Sequence, residues 1–186
     1  MFTPYEAGTD LQFEKCLPFT LVQEGGFSNT RGDHGGRTQK GITQREYDVD
    51  TRAWNLQLAD VKNIPTDQLN TIYYTKYWLP ECPKLSPGLN LSFFDQCVNE
   101  GPREAILLLQ RALGFLGKDV DGIWGDHTDN AVKNVSAPRQ LIVNYSNQRA
   151  NFYRIIGARP GQEKFMHDWL YRTATIEKQS LDMLAA

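Results

Sequence analysis

The spacing of the apolar residues is the feature that most constrains how this chain can fold. In several separate runs they recur every three or four residues, which is the period of one face of an α-helix. The alternation of apolar and polar residues that marks a half-buried β-strand is almost absent. Glycines and prolines stand between the runs, where they end helices and form turns. The sequence therefore predicts a mainly α-helical protein.

The first predicted helix runs from Asp10, a suitable N-cap, to about Gln23. Pro18 lies inside this run, and we expect it to kink the helix or split it near Leu17. The segment from Gly25 to Gly41 is rich in glycine and small polar residues. This composition predicts tight turns or a short irregular hairpin.

The remainder of the chain carries further helix signals. Thr43 and Glu46 have the spacing of a capping box, which predicts the start of a second helix. Other helix starts are predicted near Thr66, Leu91, Pro102, Asp126 and Ser136, and a final helix carries Phe165, Trp169 and Ile176.

Charge and hydropathy limit the partners of the chain. Its 186 residues have a formal net charge of -2, so no basic field attracts nucleic acid, and no nucleic-acid partner is expected. No apolar run is long enough to span a membrane, and residues 1–17 lack the continuous apolar core of a signal peptide. We therefore expect synthesis in the cytoplasm and no membrane insertion. We also expect a monomer. The three cysteines, Cys16, Cys82 and Cys97, are expected to be buried core residues.

Motifs for metal or nucleotide binding are incomplete. His34, His127 and His167 lack the spacing of metal ligands. The segment from Gly36 to Gly41 has the spacing of a phosphate-binding loop, but Ile42 stands where that loop requires lysine. We therefore expect neither a metal nor a cofactor.

Glu24 is the residue best placed for acid catalysis. It ends an apolar helix just before two glycines, near helix-end carbonyls and beside Val22 and Phe27, and these neighbours favour its protonated form. Cleavage of a glycosidic bond needs such a proton donor, and Asp33 supplies a second carboxyl in a polar loop. From the residues alone, a local cap or bridge explains Glu24 equally well, and an Asx-turn explains Asp33 better than a catalytic role does.

Motifs along the chain resemble those of glycoside hydrolase family 108. The first is Glu24-Gly-Gly-Phe27, followed by Asp33-x-Gly-Gly-x-Thr38-x-x-Gly-Ile-Thr43. The blocks Ile72-Tyr73-x-x-x-Tyr77-Trp78 and Phe94-Asp95-x-x-x-Asn99-x-Gly101-Pro102 resemble later parts of the family in the same order. Residues 105–132 resemble its C-terminal peptidoglycan-binding module. Four residues separate Asp33 from Thr38, where phage-type lysozymes usually have five.

This resemblance implies a lysozyme-like helical fold and an endolysin of bacteriophage lysis. Such a muramidase hydrolyses the β-1,4 bond between N-acetylmuramic acid and N-acetylglucosamine. The resemblance implies that Glu24 is the catalytic acid, that Asp33 positions water or stabilises the transition state, and that Thr38 helps to orient that water. Substrate-binding residues are expected at Phe27, Thr43, Tyr77, Trp78 and Asn99. Trp78, beside Pro80 at a helix end, is expected to line the glycan groove.

The implied partner is the glycan strand of peptidoglycan. A phage holin is expected as a functional, not physical, partner that lets the enzyme reach the wall in the periplasm. Residues 10–100 are expected to form a catalytic lobe, and residues 101–186 a peptidoglycan-binding-like lobe packed with it into one folding unit. Two alternatives remain open: a lytic transglycosylase acting on the same bond, and a non-catalytic wall-binding module.

Overall fold

The computed structural model describes residues 3–29 and 36–185. They form two compact units, one ending at Trp78 and one beginning at Leu79, which we call unit 1 and unit 2. The described residues contain eight α-helices and one small three-stranded sheet. The prediction of a mainly α-helical, lysozyme-like fold with a small glycine-rich hairpin is therefore confirmed.

Unit 1 contains three helices and the sheet. Helix α1 (Leu11–Glu24) leads into three two-residue antiparallel strands, β1 (Phe27–Ser28), β2 (Thr38–Gln39) and β3 (Ile42–Thr43), which pair in that order. Helix α2 (Gln44–Ala53), a 3₁₀ turn (Val61–Asn63) and helix α3 (Thr66–Tyr73) follow, and a π-helical turn (Tyr74–Trp78) continues α3.

Helix α1 begins where the sequence predicts. The carboxylate of Asp10 accepts hydrogen bonds from the backbone N–H groups of Gln12 and Phe13, at 3.1 and 3.0 Å. Pro18 is exposed within an unbroken helix, so the predicted split near Leu17 is wrong. A proline inside a helix costs about 3 kcal/mol. Burial of each large apolar side chain on α1 returns about 1.5–3 kcal/mol, so together these side chains outweigh that cost.

An aromatic cluster forms much of the core of unit 1. The ring of Phe13 lies 5.1 Å from that of Tyr74 and 5.7 Å from that of Trp78. Trp78 is fully buried, and its indole Nε1 donates a hydrogen bond of 2.7 Å to Asp10 Oδ2. The carboxylate that caps α1 thus also holds the end of the π-helical turn in place.

Unit 2 is built from five helices. They are α4 (Leu89–Glu100), α5 (Pro102–Ala112), α6 (Asp126–Lys133), α7 (Pro138–Gly157) and α8 (Glu163–Ala185), with 3₁₀ turns at Cys82–Lys84 and Gly117–Asp119. Helix α4 is the central element, because residues 89–97 are all buried and α4 packs against α5, α7 and α8.

A buried ion network joins three helices of unit 2. Asp95 of α4 is fully buried and accepts a hydrogen bond of 2.6 Å from Arg149 of α7, which is equally buried. Arg172 of α8 donates to the same carboxylate from Nε at 3.0 Å and from Nη2 at 2.8 Å. Since an unpaired buried charge is costly, this network stabilises one particular arrangement of α4, α7 and α8.

Several predicted helix starts shift by a few residues. Pro102 begins α5 as predicted, and Thr43 caps α2. Helix α4 begins at Leu89, two residues before its predicted start. Thr66 and Asp126 are the first residues of their helices rather than the caps, because Pro65 and Gly125 occupy the cap positions.

The three cysteines, Cys16, Cys82 and Cys97, are buried as predicted. Burial raises the pKa of the Cys97 thiol well above its usual value. Within residues 3–29 and 36–185, none of the helices combines the length and the apolar character that a membrane span requires.

Candidate active site

Glu24 is the last residue of α1. Helix α1 stops there because Gly25, the next residue, has a φ of 72°, a conformation that glycine adopts without strain. The helix face leading to Glu24 is buried through Phe13, Leu17 and Thr20, which fixes the backbone position of Glu24. The side chain of Glu24 is half-buried, and its Oε1 atom is shielded from solvent.

The turn between β2 and β3 lies against the Glu24 carboxyl group. This turn consists of Lys40 and Gly41, which both have positive φ angles, of 45° and 74°. A β-carbon placed on Gly41 would lie 2.5 Å from Glu24 Oε2 and 3.2 Å from Glu24 Cδ. Only glycine therefore permits this approach between the turn and the carboxyl group.

Tyr73 of α3 holds the same turn from the side of the core. Its side chain is buried, and its hydroxyl donates a hydrogen bond of 2.7 Å to the backbone carbonyl of Lys40. The β-carbon position of Gly41 would lie 3.2 Å from this hydroxyl. The end of α1, the β2–β3 turn and α3 thus converge on the carboxyl group of Glu24.

Sequence reasoning did not place Lys40, Gly41 or Tyr73 beside Glu24. Gly41 and Tyr73 both stood in the motifs, but their proximity to Glu24 depends on contacts between residues far apart in the chain. The positive φ predicted for a glycine in a turn is a local signal. It does not reveal which side chain the turn approaches.

Asp33, the second predicted carboxyl, lies outside the described residues, so its role stays a prediction. Thr38 is in β2, opposite Ser28 of β1 and Thr43 of β3. Its side chain is partly exposed, and its hydroxyl donates a hydrogen bond of 3.3 Å to the carbonyl of Gly36. Thr38 thus belongs to the strand that leads directly into the turn at Glu24.

Phe27 follows Glu24 by three residues and is 37% exposed. The guanidinium of Arg37 and the ammonium of Lys62 each lie 5.4 Å from the centre of its ring, within the range of cation–π attraction. Arg37 also pairs with Asp60, and this hydrogen bond lowers the pKa of the Asp60 carboxyl. Phe27 thus lies on a partly exposed surface that carries positive charge.

Three other predicted binding residues of unit 1 differ in their surroundings. The hydroxyl of Thr43 donates to Glu46 Oε2 at 2.8 Å in the capping box of α2, which gives this side chain a structural role. Tyr77 is partly exposed, with its ring 5.8 Å from that of Tyr73. Trp78 has no exposed surface, so the prediction that it lines a groove is wrong. Its indole fills the core because Asp10 satisfies its N–H group there.

Asn99 belongs to the ion network of unit 2. Its Oδ1 accepts a hydrogen bond of 3.1 Å from Arg172, and its Nδ2 donates to the hydroxyl of Tyr153. Both ends of the amide are therefore already bonded within unit 2. Among the residues that the structure describes, no group of three or more histidine, cysteine or acidic side chains is arranged to hold a metal ion.

Comparisons with known proteins agree with this architecture. Residues 17–101 match the family Glycosyl hydrolase 108, and residues 104–174 match a family described as Predicted Peptidoglycan domain. The solved structure of SagA from Brucella abortus is similar in fold, with 23% sequence identity and a TM-score of 0.75. That similarity covers 94% of this chain and 96% of the SagA chain. No curated protein sequence matches the chain.

The fold and the two matches define the class of protein as a helical glycoside hydrolase. The matches follow one another along most of the chain, in the order that its motifs predict. Residues 17–101 thus form a glycosyl hydrolase 108 domain, and residues 104–174 form a C-terminal peptidoglycan domain. The chain is therefore an enzyme that degrades peptidoglycan.

Proposed function

We propose that this glycoside hydrolase is an N-acetylmuramidase that cleaves the β-1,4 bond between N-acetylmuramic acid and N-acetylglucosamine. The observation that carries the proposal is the position of Glu24. Its carboxyl group stands at a helix end, against the turn at Gly41 that the Tyr73 hydroxyl holds through the Lys40 carbonyl. A general acid needs such a fixed position, because proton transfer depends on the geometry between the donor and the glycosidic oxygen.

In the proposed reaction, Glu24 donates its proton to the oxygen that links the two sugars. The bond from that oxygen to C1 of N-acetylmuramic acid then breaks, and the N-acetylglucosamine side leaves with a hydroxyl group. The oxygen of a water molecule forms the new bond to C1. Asp33 accepts a proton from that water, or it stabilises the positive charge that develops on the sugar while the ionised Glu24 accepts the proton of the water. Thr38 helps to orient the water.

The solvent exposure of their side chains supports two of the predicted substrate-binding residues. The side chains of Phe27 and Tyr77 are both partly exposed in unit 1, so we retain both as substrate contacts. Thr43 and Asn99 are weaker candidates, since their side chains already make hydrogen bonds within the protein. A substrate contact by Asn99 would have to share the hydrogen bonds of the ion network.

The biological role that we propose is that of a phage endolysin. Its support is the resemblance of the motif from Glu24 to Thr43 to the enzymes of phage lysis cassettes. The enzyme would then act as a monomer on the wall in the periplasm, which it would reach through a holin.

Digestion of purified sacculi tests the proposed bond specificity. We expect mass spectrometry of the soluble products to show muropeptides that end in a reducing N-acetylmuramic acid, because water is added to C1. Products that end in 1,6-anhydromuramic acid would instead establish a lytic transglycosylase, which uses one carboxyl group and no attacking water. Products that end in reducing N-acetylglucosamine would show that the other β-1,4 bond is cut.

A further inference from the structure

Unit 2 contains a polar cleft whose lining includes none of the residues assigned to the proposed reaction. It has a volume of about 620 Å³ and lies between the α4–α5 junction and the end of the α7–α8 hairpin. Two acidic residues, Glu100 and Glu104, line one part of it. The lining also includes two aromatic residues, Phe152 and Trp169, and two residues with hydrogen-bond donors, Arg159 and Gln162.

The carboxyl group of Glu100 has no direct ionic partner among the described residues. Over residues 3–29 and 36–185 it makes no ion pair or hydrogen bond, although its side chain is half-buried. Burial and the nearby charge of Glu104 raise its pKa, despite the opposing effect of Arg172 and Arg149. The carboxylate of Glu104 makes a long ion pair, with 3.7 Å between its Oε1 atom and Nη1 of Arg111. This part of the cleft therefore favours a positively charged group.

Arg159 brings the opposite charge to the same cleft. Its side chain is exposed, and the described part of the chain provides no ion pair for its guanidinium. A guanidinium binds a carboxylate through two parallel hydrogen bonds. The cleft thus presents an acidic side and a basic side that do not neutralise each other.

The aromatic wall of the cleft has a rigid support. The ring of Trp169 stacks on that of Tyr153, with centroids 5.5 Å apart. The hydroxyl of Tyr153 donates a hydrogen bond of 3.0 Å to Gln96, and Asn99 donates to it in turn. Since Tyr153 is buried, Trp169 is held in position before any ligand arrives. A preorganised aromatic wall beside carboxyl groups suits an ammonium group.

We propose that this cleft binds a zwitterionic amino-acid end group, with its ammonium at Glu100 and Glu104 and its carboxylate at Arg159. The stem peptides of peptidoglycan present such groups wherever a diamino acid is not cross-linked. The choice of a stem peptide rests on the activity of the enzyme towards peptidoglycan. The charged residues on which the proposal depends, Glu100, Glu104 and Arg159, all lie in unit 2. The cleft would hold the peptide part of the polymer whose glycan part is cleaved at Glu24.

The test is calorimetric titration of the full chain carrying Glu24→Gln, which prevents turnover. The probe is the tripeptide L-alanyl-γ-D-glutamyl-meso-diaminopimelate, whose distal end has a free ammonium and carboxylate. We expect saturable binding of this tripeptide. Acetylation of the distal amine should weaken binding at least about tenfold, because the charge-assisted hydrogen bonds are lost. A tetramer of N-acetylglucosamine should not compete.

Further substitutions in the Glu24→Gln chain test which residues bind the tripeptide. Glu100→Gln and Arg159→Gln should each weaken tripeptide binding about tenfold or more. Glu177→Gln is the matched control, since Glu177 is another half-buried carboxyl of unit 2 whose pKa is raised by burial, and it should bind normally. If Glu100→Gln does not fold, the exposed Arg159 still provides the test.

The proposal is overturned if the tripeptide does not bind, if acetylation has no effect or if Arg159→Gln binds as well as the parent. It is also overturned if the N-acetylglucosamine tetramer displaces the tripeptide, because the cleft would then be a sugar site. Sacculus digestion by the unmodified enzyme is measured separately. Absent tripeptide binding with normal digestion contradicts only the cleft, and absent digestion with normal binding contradicts only the proposed catalytic function.

Discussion

The backbone of Gly41 lies directly against the carboxyl group of Glu24, so closely that a β-carbon on residue 41 would come within 2.5 Å of Glu24 Oε2. The two residues belong to different elements, the β2–β3 turn and the end of α1. Tyr73 fixes the turn through its hydrogen bond to Lys40. The proposed acid is thus positioned by two residues that take no part in the proton transfer.

Gly41→Ala should strongly reduce activity, because the added methyl group would displace the Glu24 carboxyl. A displacement of about 1 Å in a reacting group can cost about 10²-fold, and we expect a loss of that size in kcat on purified sacculi. The control is Gly114→Ala, whose φ of 89° gives comparable backbone strain, with nothing within 4 Å of the new β-carbon. Equal losses of activity in both variants would show that backbone strain alone is responsible.

Tyr73→Phe should lower kcat by about 10–10²-fold with little change in KM, because the β2–β3 turn loses the hydrogen bond that holds it near Glu24. Tyr47→Phe is a matched control, since Tyr47 is also buried in unit 1 and its hydroxyl bonds to Gln68 at 2.6 Å. Each variant should lose about 0.5–1.5 kcal/mol in the free energy of unfolding. If kcat falls by the same factor in Tyr73→Phe and Tyr47→Phe, Tyr73 has only a structural role.

Features that depend on neighbouring residues could be predicted from the sequence. Asp10 caps α1, Thr43 and Glu46 form their capping box, and Pro102 begins α5. In each case a side chain or a restricted backbone acts within four residues. Glu24 could be placed at a helix end for the same reason, because the glycine that ends α1 comes directly after it.

Features that depend on distant partners could not be predicted. Trp78 can be fully buried without cost to its N–H group because that group bonds to Asp10, 68 residues away. Asn99 bonds to Arg172, which is 73 residues away. An aromatic or amide residue at a helix end has the same local pattern whether it faces substrate or a partner in the core. The distinction requires knowledge of the tertiary contacts.

Asp33→Asn tests the second carboxyl predicted by the motif. If Asp33 activates water or stabilises the developing charge, the amide should reduce kcat by about 10²-fold or more. The loss should be smaller than that of Glu24→Gln. Kinetics on purified sacculi, with circular dichroism to confirm folding, measure the effect. A loss below about tenfold would reduce Asp33 to a residue that shapes its loop.

A fragment of residues 1–100 should not form a stable, active enzyme. It would contain α4 without α5, α7 and α8, against which α4 packs, and residues 89–97 of α4 would lose the cover that buries them. Asp95 would also lose both of its arginine partners. We expect poor solubility and no cooperative thermal unfolding. A soluble, cooperatively folded and lytic fragment would show that the second half is an independent binding module.

The most direct measurement is the rate at which Glu24→Gln releases reducing N-acetylmuramic acid ends from purified sacculi. The amide has nearly the same shape as the carboxyl group but cannot supply the proton. We therefore expect a loss of at least about 10³-fold, with circular dichroism and thermal unfolding like those of the unmodified enzyme. A folded Glu24→Gln variant that releases these ends at the rate of the unmodified enzyme would contradict the assignment of Glu24 as the catalytic acid.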